Sequence, residues 1–398
     1  MVPGCRSPEM TMLAIAALAC AVWTFALLLR GGFWRATERD DETSAATSAP
    51  NAWPRIVAVM PARNETEVIG AALTSLLRQD YPGAFDIVVV DDHSSDGTAA
   101  IARQTAAAAG MPARLTVLSA PNLPDSWTGK LWAMHCGTQH VALLSDPPDF
   151  VLFTDADIGY APETLTALVT HAHRDGLVLA SLMAKLHCES FAERALIPAF
   201  IFFFQMLYPF AWVNRPGNPT AAAAGGCMLA RREALQAAGG IAALQGHLID
   251  DCALGRLMKS QGPIWLGLTH RARSLRVFRS VGEIRAMISR SAYAQLRYSP
   301  WLLLGTVVAI AVTCLAPPLL AAGATGATRW LALAAWAEMA LALQPTLRFY
   351  GLSRWWGIAM PAIAGAYLAF TLDSAVQHWQ GRGGMWKGRT HRPAPNGR

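Results

Sequence analysis

Asp155 and Asp157 stand one residue apart behind a short apolar run, Phe150, Val151, Leu152 and Phe153. The run, within 149–158, has the length and composition of a buried strand. In extended chain, residues i and i+2 point the same way. The spacing therefore aims both carboxylates at one point beyond the strand's carboxyl end, where open α/β sheets receive ligands. Carboxylates held that close repel unless protons or a cation neutralise them. A hard divalent ion, Mg²⁺ or Mn²⁺, that also grips a phosphate meets the need. A plain strand end with two solvated acids in a turn is the bland alternative.

Three further clusters carry chemistry. The run from Asp91 through Asp92, His93, Ser94, Ser95, Asp96 and Gly97 to Thr98 follows the apolar stretch 85–90. Ser, Asp and Gly there satisfy free N–H groups at a helix start and allow a tight turn. Asp91 and Asp92, directly behind a buried strand, are desolvated for no structural gain. A carboxylate in that place accepts from a base N–H or a ribose hydroxyl. Pro61, Ala62, Arg63, Asn64 and Glu65 end the neighbouring run 55–60 and would form the opposite wall of the pocket. Lys130, beside Gly129, reaches a phosphate as a point charge, or is a solvated lysine at a helix start. Asp250 and Asp251 open a helix, where capping and the macrodipole favour acids in any case. In the functional reading Asp251 is a general base, taking a proton from an acceptor hydroxyl as its oxygen attacks a sugar carbon. Gly225 and Gly226 allow close backbone approach to a ligand. His135, His140, His171 and His173 show no ligand spacing. The seven cysteines contain no C-x-x-C pair, so no zinc site is indicated and a reducing compartment is.

The elements that must position these residues alternate. Strands at 55–60, 85–90, 114–118 and 149–158 are separated by helices running to about Arg78, to about Ala109, and from the Trp127–Lys130 loop onward. Strands that alternate with helices and end in polar residues predict an α/β domain with a mostly parallel sheet and a site along its carboxyl edge.

The whole chain of 398 residues is 53% hydrophobic and only 15% charged, too apolar for one ordinary soluble domain. Residues 10–29 carry no charge and suit an uncleaved transmembrane anchor better than a signal peptide. Arg30, Arg35 and Arg39 follow it, against Arg6 before it, so the positive-inside rule predicts a cytoplasmic body. Residues 38–54 are polar and read as a linker. The apolar run 196–213, broken by Pro198 and Pro209, suits a span, a core helix or, preferably, a helix lying in the membrane interface. Beyond Pro300, residues 301–322, 330–347 and 357–379 are membrane candidates, with Pro317, Pro318, Glu338 and Asp373 as blemishes. Three crossings would conflict with the basic tail of Arg382, Lys387, Arg389 and Arg392, and 357–379 is the one expected not to cross fully. The resulting partition is an anchor at 1–32, a linker at 33–53, a domain at 54–299, membrane segments at 300–380 and a basic tail at 381–398. Net charge +6 fits anionic lipid head groups. Nucleic-acid binding is not expected, because no basic stripe with interleaved aromatics occurs.

The set 61–65, 91–98, Asp155 with Asp157, Gly225-Gly226 with Arg231, Arg232 and Glu233, and 250–256 resembles the family 2 inverting glycosyltransferases of GT-A fold, over about residues 54–300. Gly129–Trp132, 203–213, 289–300 and 386–390 are similar to the membrane-bound hopanoid-associated subgroup, near the ceramide glucosyltransferases. The resemblance implies an enzyme that moves a single sugar from a nucleotide-diphospho-sugar, a UDP-sugar, to a hydroxyl of a membrane lipid. It implies Asp91 or Asp92 on the base, with Pro61, Ala62, Arg63 and Glu65 in the same pocket, and Lys130 and Asp155 also on the donor. Asp155 and Asp157 would hold Mg²⁺ or Mn²⁺, and Asp251 would be the base. Asp250, Gly225, Gly226, Gln295, Arg297 and Tyr298 would face acceptor or diphosphate. It also implies a multi-pass protein of the cell inner membrane with its catalytic domain in the cytoplasm. Two departures stand out: Asp250-Asp251 where relatives carry Glu-Asp, and Gln295-Leu296-Arg297-Tyr298 where many carry Gln-x-x-Arg-Trp. The second argues against a processive polysaccharide synthase, the main alternative. A non-catalytic scaffold or transporter with a degenerate nucleotide domain is the other.

Overall fold

The computed structural model describes residues 8–40, 50 and 52–383. Arg6, Lys387, Arg389, Arg392, the 386–390 word and 41–49 of the linker lie outside the described residues. The chain divides into two compact units. An α/β unit takes in Glu38–His187 and Phe210–Val277, and a helical unit takes in 8–37, Cys188–Pro209 and Phe278–Gly383.

The α/β unit is built on eight strands: β1 (Ile56–Ala62), β2 (Phe85–Asp91), β3 (Leu115–Ser119), β4 (Phe150–Thr154), β5 (Ile158–Tyr160), β6 (Leu179–Lys185), β7 (Cys227–Arg231) and β8 (Ile264–Ser274). They form one sheet in the order β3-β2-β1-β4-β7-β6-β8-β5. Strand β1 is buried at every position. Apolar side chains on both faces suit a strand covered on both sides, as parallel strands between helices are. On one face Ile56, Ala58 and Met60 join Leu73, Leu76, Leu168 and Val169 in the core.

The sheet is mixed, with four strand pairings parallel and three antiparallel. β1 pairs in parallel with β2 and β4, but β7 runs antiparallel to both β4 and β6, and β5 antiparallel to β8. The cause is where the chain re-enters. It comes back into the sheet at the carboxyl edge, through Gly225 and Gly226, rather than crossing to the amino edge by a helix. Because Thr154 pairs with Cys227, the acid turn after β4 begins beside that glycine pair. The Asp250–Lys259 helix is brought close by Gly255, where a Cβ would lie 2.5 Å from the Ala222 carbonyl carbon. Only hydrogen fits there.

The expected linker is structured at its start. Glu38 and Asp40 exchange backbone hydrogen bonds with Leu268 of β8. Asp40, buried, accepts from Thr269 Oγ1 at 2.9 Å and lies 3.2 Å from Arg271 Nη1.

Among the described residues, four helical stretches are long and apolar enough to cross a membrane by length and composition: Pro8–Leu29, Phe191–Val213, Pro300–Gly323 and Arg354–Trp379. The 357–379 run, set aside above, is thus among them. The 330–347 run instead falls in the Gly326–Phe349 helix, which is not, and which carries Arg329, Glu338 and Arg348. The 196–213 run is not one helix. Phe191–Leu207 opens with a capping box, Ser190 with Glu193, and Phe210–Val213 forms a separate turn of helix. Trp23, Leu27, Phe33, Phe202, Met339, Leu343 and Met360 pack together as a core. Thr24 Oγ1 donates to Glu338 Oε1 at 2.7 Å, and Tyr367 OH to the Leu196 carbonyl at 2.7 Å.

Candidate active site

The first wall consists of two loops that leave the carboxyl ends of β1 and β2 and interlock. Ala62 pairs with Asp91, and its carbonyl accepts from Asp92 N at 2.8 Å. Asn64, in left-handed backbone at φ 50°, donates its N–H to Ser94 Oγ at 2.9 Å and accepts from Ser95 N at 2.9 Å. Glu65 N donates to Thr98 Oγ1 at 2.8 Å. Asp96 accepts from Thr66 and Thr98 through both side chain and backbone. Slight burial pushes its pKa up, but those hydrogen bonds win and hold the carboxyl below the usual range. Arg63 Nη1 donates to the Asp92 carbonyl and lies 3.6 Å from Asp92 Oδ2. Asp91 Oδ2 accepts from Ser94 N at 3.2 Å, while its buried Oδ1 takes no hydrogen bond among the described residues. That oxygen is a ready acceptor for a ligand N–H or hydroxyl.

The second wall is made of charges. β4 stops at Thr154, and Asp155, Ala156 and Asp157 form a turn into β5. The acids therefore do not extend the strand as expected; the chain must reverse towards β8, with which β5 pairs. Each acid has its own cation. Lys130 Nζ lies 2.9 Å from Asp155 Oδ1 and 3.1 Å from Asp250 Oδ2. Arg276 Nε lies 2.9 Å from Asp157 Oδ2, and its Nη2 lies 3.0 Å from Glu65 Oε2. Burial pushes the Asp155 carboxyl up and Lys130 pulls it back, but Asp157 adds to the rise, so it stays above its ordinary value. For Lys130, burial disfavours the charge, yet Asp155 and Asp250 outweigh it and raise the ammonium's pKa. The lysine is part of the carboxylate cluster, not a solvated helix-start residue.

Asp251 is fixed by backbone. Its Oδ2 accepts from Gly225 N at 3.1 Å and its Oδ1 from Cys252 N at 2.7 Å. Burial, then the Asp250 charge, pushes its carboxyl up to about 6 against Lys130 and these two bonds. A Cβ on Gly225 would lie 3.1 Å from Lys130 Nζ and 3.5 Å from Asp251 Oδ2. The bare glycine lets acid, lysine and backbone meet. Tyr160 OH donates to the Gly226 carbonyl at 2.9 Å and bonds Thr154 Oγ1 at 2.6 Å, tying the acid turn to the glycine pair.

Among the described residues no trio of His, Cys, Asp or Glu forms a metal cage. Among the described residues Asp155 Oδ2 and Asp157 Oδ1 nevertheless take no hydrogen bond. Mg²⁺ and Mn²⁺ are commonly held by one or two carboxylates together with substrate phosphates. The donor set fits such an ion.

Arg63, Glu65, Asp91, Asp92, Lys130, Asp155, Asp157, Gly225, Gly226, Asp250 and Asp251 all belong to the α/β unit. Gln295, Arg297 and Tyr298 belong to the helical unit. There Gln295 Nε2 donates to Tyr208 OH at 2.6 Å, and Tyr298 stacks on His378 at 4.3 Å. Arg297 and Tyr298 are both in left-handed backbone. Arg276 escaped the sequence reading. Its only signal is that Arg271, Arg273, Arg276 and Arg279 follow the apolar strand start 264–268.

Residues 54–269 match the model of the family described as Glycosyltransferase like family 2. The chain belongs to that glycosyltransferase family. Its glycosyltransferase domain is 28% identical over 210 residues to the 4,4'-diaponeurosporenoate glycosyltransferase of Staphylococcus aureus, covering 51% of each chain. The Staphylococcus haemolyticus protein of that name is 32% identical over 121 residues, 30% of this chain and 26% of that one. The matches thus span about half of the first relative's length and about a quarter of the second's. The mannosyltransferase PcManGT from Pyrobaculum calidifontis, solved with GDP-Man and Mn²⁺, is similar at a TM-score of 0.55 and 20% identity. The superposition covers 92% of this chain and 99% of that one. The glycosyltransferase domain accordingly has a GT-A-like α/β fold, and the family uses nucleotide-sugar donors.

Proposed function

We propose that the protein transfers a single sugar from a nucleotide-diphospho-sugar to a hydroxyl of a membrane lipid, with inversion at the anomeric carbon. The observation that carries this reading is Asp251: a carboxylate aimed by two backbone N–H groups, its pKa pushed up to about 6. A base in that range is ionised at neutral pH and still accepts a proton readily. Asp251 takes the proton of the acceptor hydroxyl. The acceptor oxygen forms its bond to the anomeric carbon from the face opposite the diphosphate, whose own bond to that carbon breaks, and the configuration inverts.

Asp91 holds the nucleotide through its open Oδ1, in a pocket with Pro61, Ala62, Arg63, Glu65 and Asp92. Asp155 and Asp157 hold Mg²⁺ or Mn²⁺, which when bound supplies positive charge to the departing diphosphate. Lys130 keeps Asp155 and Asp250 together, so one ligand of the ion and the neighbour of the base share one cation. The donor is a UDP-sugar and the acceptor a flat, hopanoid-like lipid. The staphylococcal relatives carry a lipid-like acceptor in their names, and the four apolar helices suit a protein that meets its acceptor in the bilayer. Arg30, Arg35 and Arg39 after the first of them argue for an inner-membrane protein with a cytoplasmic catalytic domain. Gln295, Arg297 and Tyr298 serve the acceptor or the diphosphate.

The test is direct. Membranes containing the protein are incubated with labelled nucleotide-sugars, and the extracted lipids are weighed by mass spectrometry. One added hexose on a lipid supports the reading. A long polymer, or label in no lipid, overturns it.

A further inference from the structure

Arg276 is the residue of this site that the reaction above leaves without a task. It lies at the exit of β8 and spans two carboxylates from different loops: Asp157 at 2.9 Å and Glu65 at 3.0 Å. It is the most exposed member of the set, with 38% of its side chain open to solvent against 17% for Asp157 and 11% for Glu65. An arginine that open can swing, while the acids it holds are anchored. Leu275 N donates to the Asp157 carbonyl at 2.7 Å, so the arginine is attached next to the turn it neutralises. Its charge is firmly kept: burial opposes it, but Asp157 and then Glu65 raise the guanidinium's pKa.

We propose that Arg276 competes with the divalent cation for Asp157, and that this competition couples metal binding to capture of the donor diphosphate. The inference rests on the metal reading of Asp155 and Asp157 given above. A guanidinium at hydrogen-bonding distance and a divalent ion repel each other across one carboxylate. Metal at Asp157 therefore loosens Arg276. The freed guanidinium has planar, forked donors matched to phosphate oxygens, and it hangs from a segment already at the acid turn. Metal and diphosphate then each favour the arrangement the other needs, and the coupling is reciprocal. Arg276 is a positioning residue in this scheme: it makes metal bound alone weak and metal bound with nucleotide strong.

The experiment is calorimetry on the full chain in detergent, with Mn²⁺ alone and with UDP in the presence and absence of Mn²⁺. The proteins are wild type, Arg276→Gln, Arg276→Lys and Asp157→Asn. Arg276→Gln is expected to bind Mn²⁺ alone about tenfold more tightly, the scale of one removed like charge. It is expected to lose most of the Mn²⁺-induced gain in UDP affinity. Arg276→Lys keeps the charge and should bind Mn²⁺ alone as wild type does. Unchanged or weaker Mn²⁺ binding by Arg276→Gln, in a variant whose thermal melt is intact and while Asp157→Asn abolishes Mn²⁺ binding, overturns the competition alone. Mn²⁺ binding insensitive to Asp157→Asn overturns both the competition and the metal reading beneath it.

Discussion

The two walls of the site are held by different physics. Between Arg63–Thr66 and Asp92–Thr98 the chain relies on a mesh of hydrogen bonds: Asn64 with Ser94 and Ser95, Glu65 N to Thr98, and Thr66 and Thr98 to the Asp96 carboxylate. From Asp155 to Asp251 it relies on partly buried charge, with Lys130 and Arg276 set among Glu65, Asp155, Asp157 and Asp250. A hydrogen-bonded wall keeps its shape whatever enters. A wall of ion pairs has large opposing energies in near balance, and one arriving charge rearranges it. On the proposed reading, recognition of the nucleotide would fall to the hydrogen-bonded half and response to the diphosphate to the other.

Substitution on the charged side should act on rate. Asp251→Asn keeps shape and hydrogen-bonding reach but removes the base, so turnover should fall about 10²–10⁴-fold while nucleotide affinity measured by calorimetry stays put. A near-normal rate would take Asp251 out of the mechanism and erase the contrast. Gly225→Ala places a methyl 3.1 Å from Lys130 Nζ and 3.5 Å from Asp251 Oδ2. A misplaced base costs less than a missing one, so a loss of about tenfold to a hundredfold in turnover is expected, again with nucleotide binding spared.

Acidity gives a subtler probe. With Asp251 raised to about 6, kcat/KM should drop about tenfold per pH unit below that point. Stability runs the other way. The folded pKa exceeds the ordinary 3.8, so Asp251's favourable contribution to folding is complete below about 3.8 and is lost as pH rises through about 6. A rate profile flat down to pH 4.5 would contradict this. The smallest effect belongs to the other wall. Ser94→Ala removes one acceptor for Asn64 N, worth about 1 kcal/mol. It should weaken nucleotide binding by no more than about fivefold and leave the pH profile unmoved.

Much of this arrangement was legible in the string, because its signals are local. β1, β2 and β4 are short apolar runs with polar ends, and parallel strands put such ends on one edge; Asp91 and Asp155 could be nominated from that alone, whereas Asp251 opens a helix and owed its nomination to the family resemblance. What escaped depends on partners distant in sequence. The reversal of β7 follows from pairing with β4, some seventy residues earlier. Asp157 turned out to sit in a turn because β5 must reach β8. Arg276 meets Glu65 across 211 positions, a separation no spacing rule covers. Lys130 was visible as a charge but not as a bridge, since its second carboxylate, Asp250, lies 120 positions further on. The helical unit was recognisable by apolarity. Its share of the 188–209 stretch was not, because aromatic runs read alike whether they face lipid, a core or a partner helix.

That stretch has a practical consequence. The polypeptide passes from one unit to the other at 37–38, 187–188, 209–210 and 277–278, so neither half is a continuous piece of chain. Trimming both ends to 38–277 would leave the Phe191–Leu207 helix as an apolar insert stripped of Trp23, Met339 and Tyr367, and prone to aggregate. A water-soluble catalytic fragment would need a short graft joining His187 directly to Phe210. Likewise, exchanging the helical unit between relatives would mean transplanting several separate segments together, not swapping a terminal half.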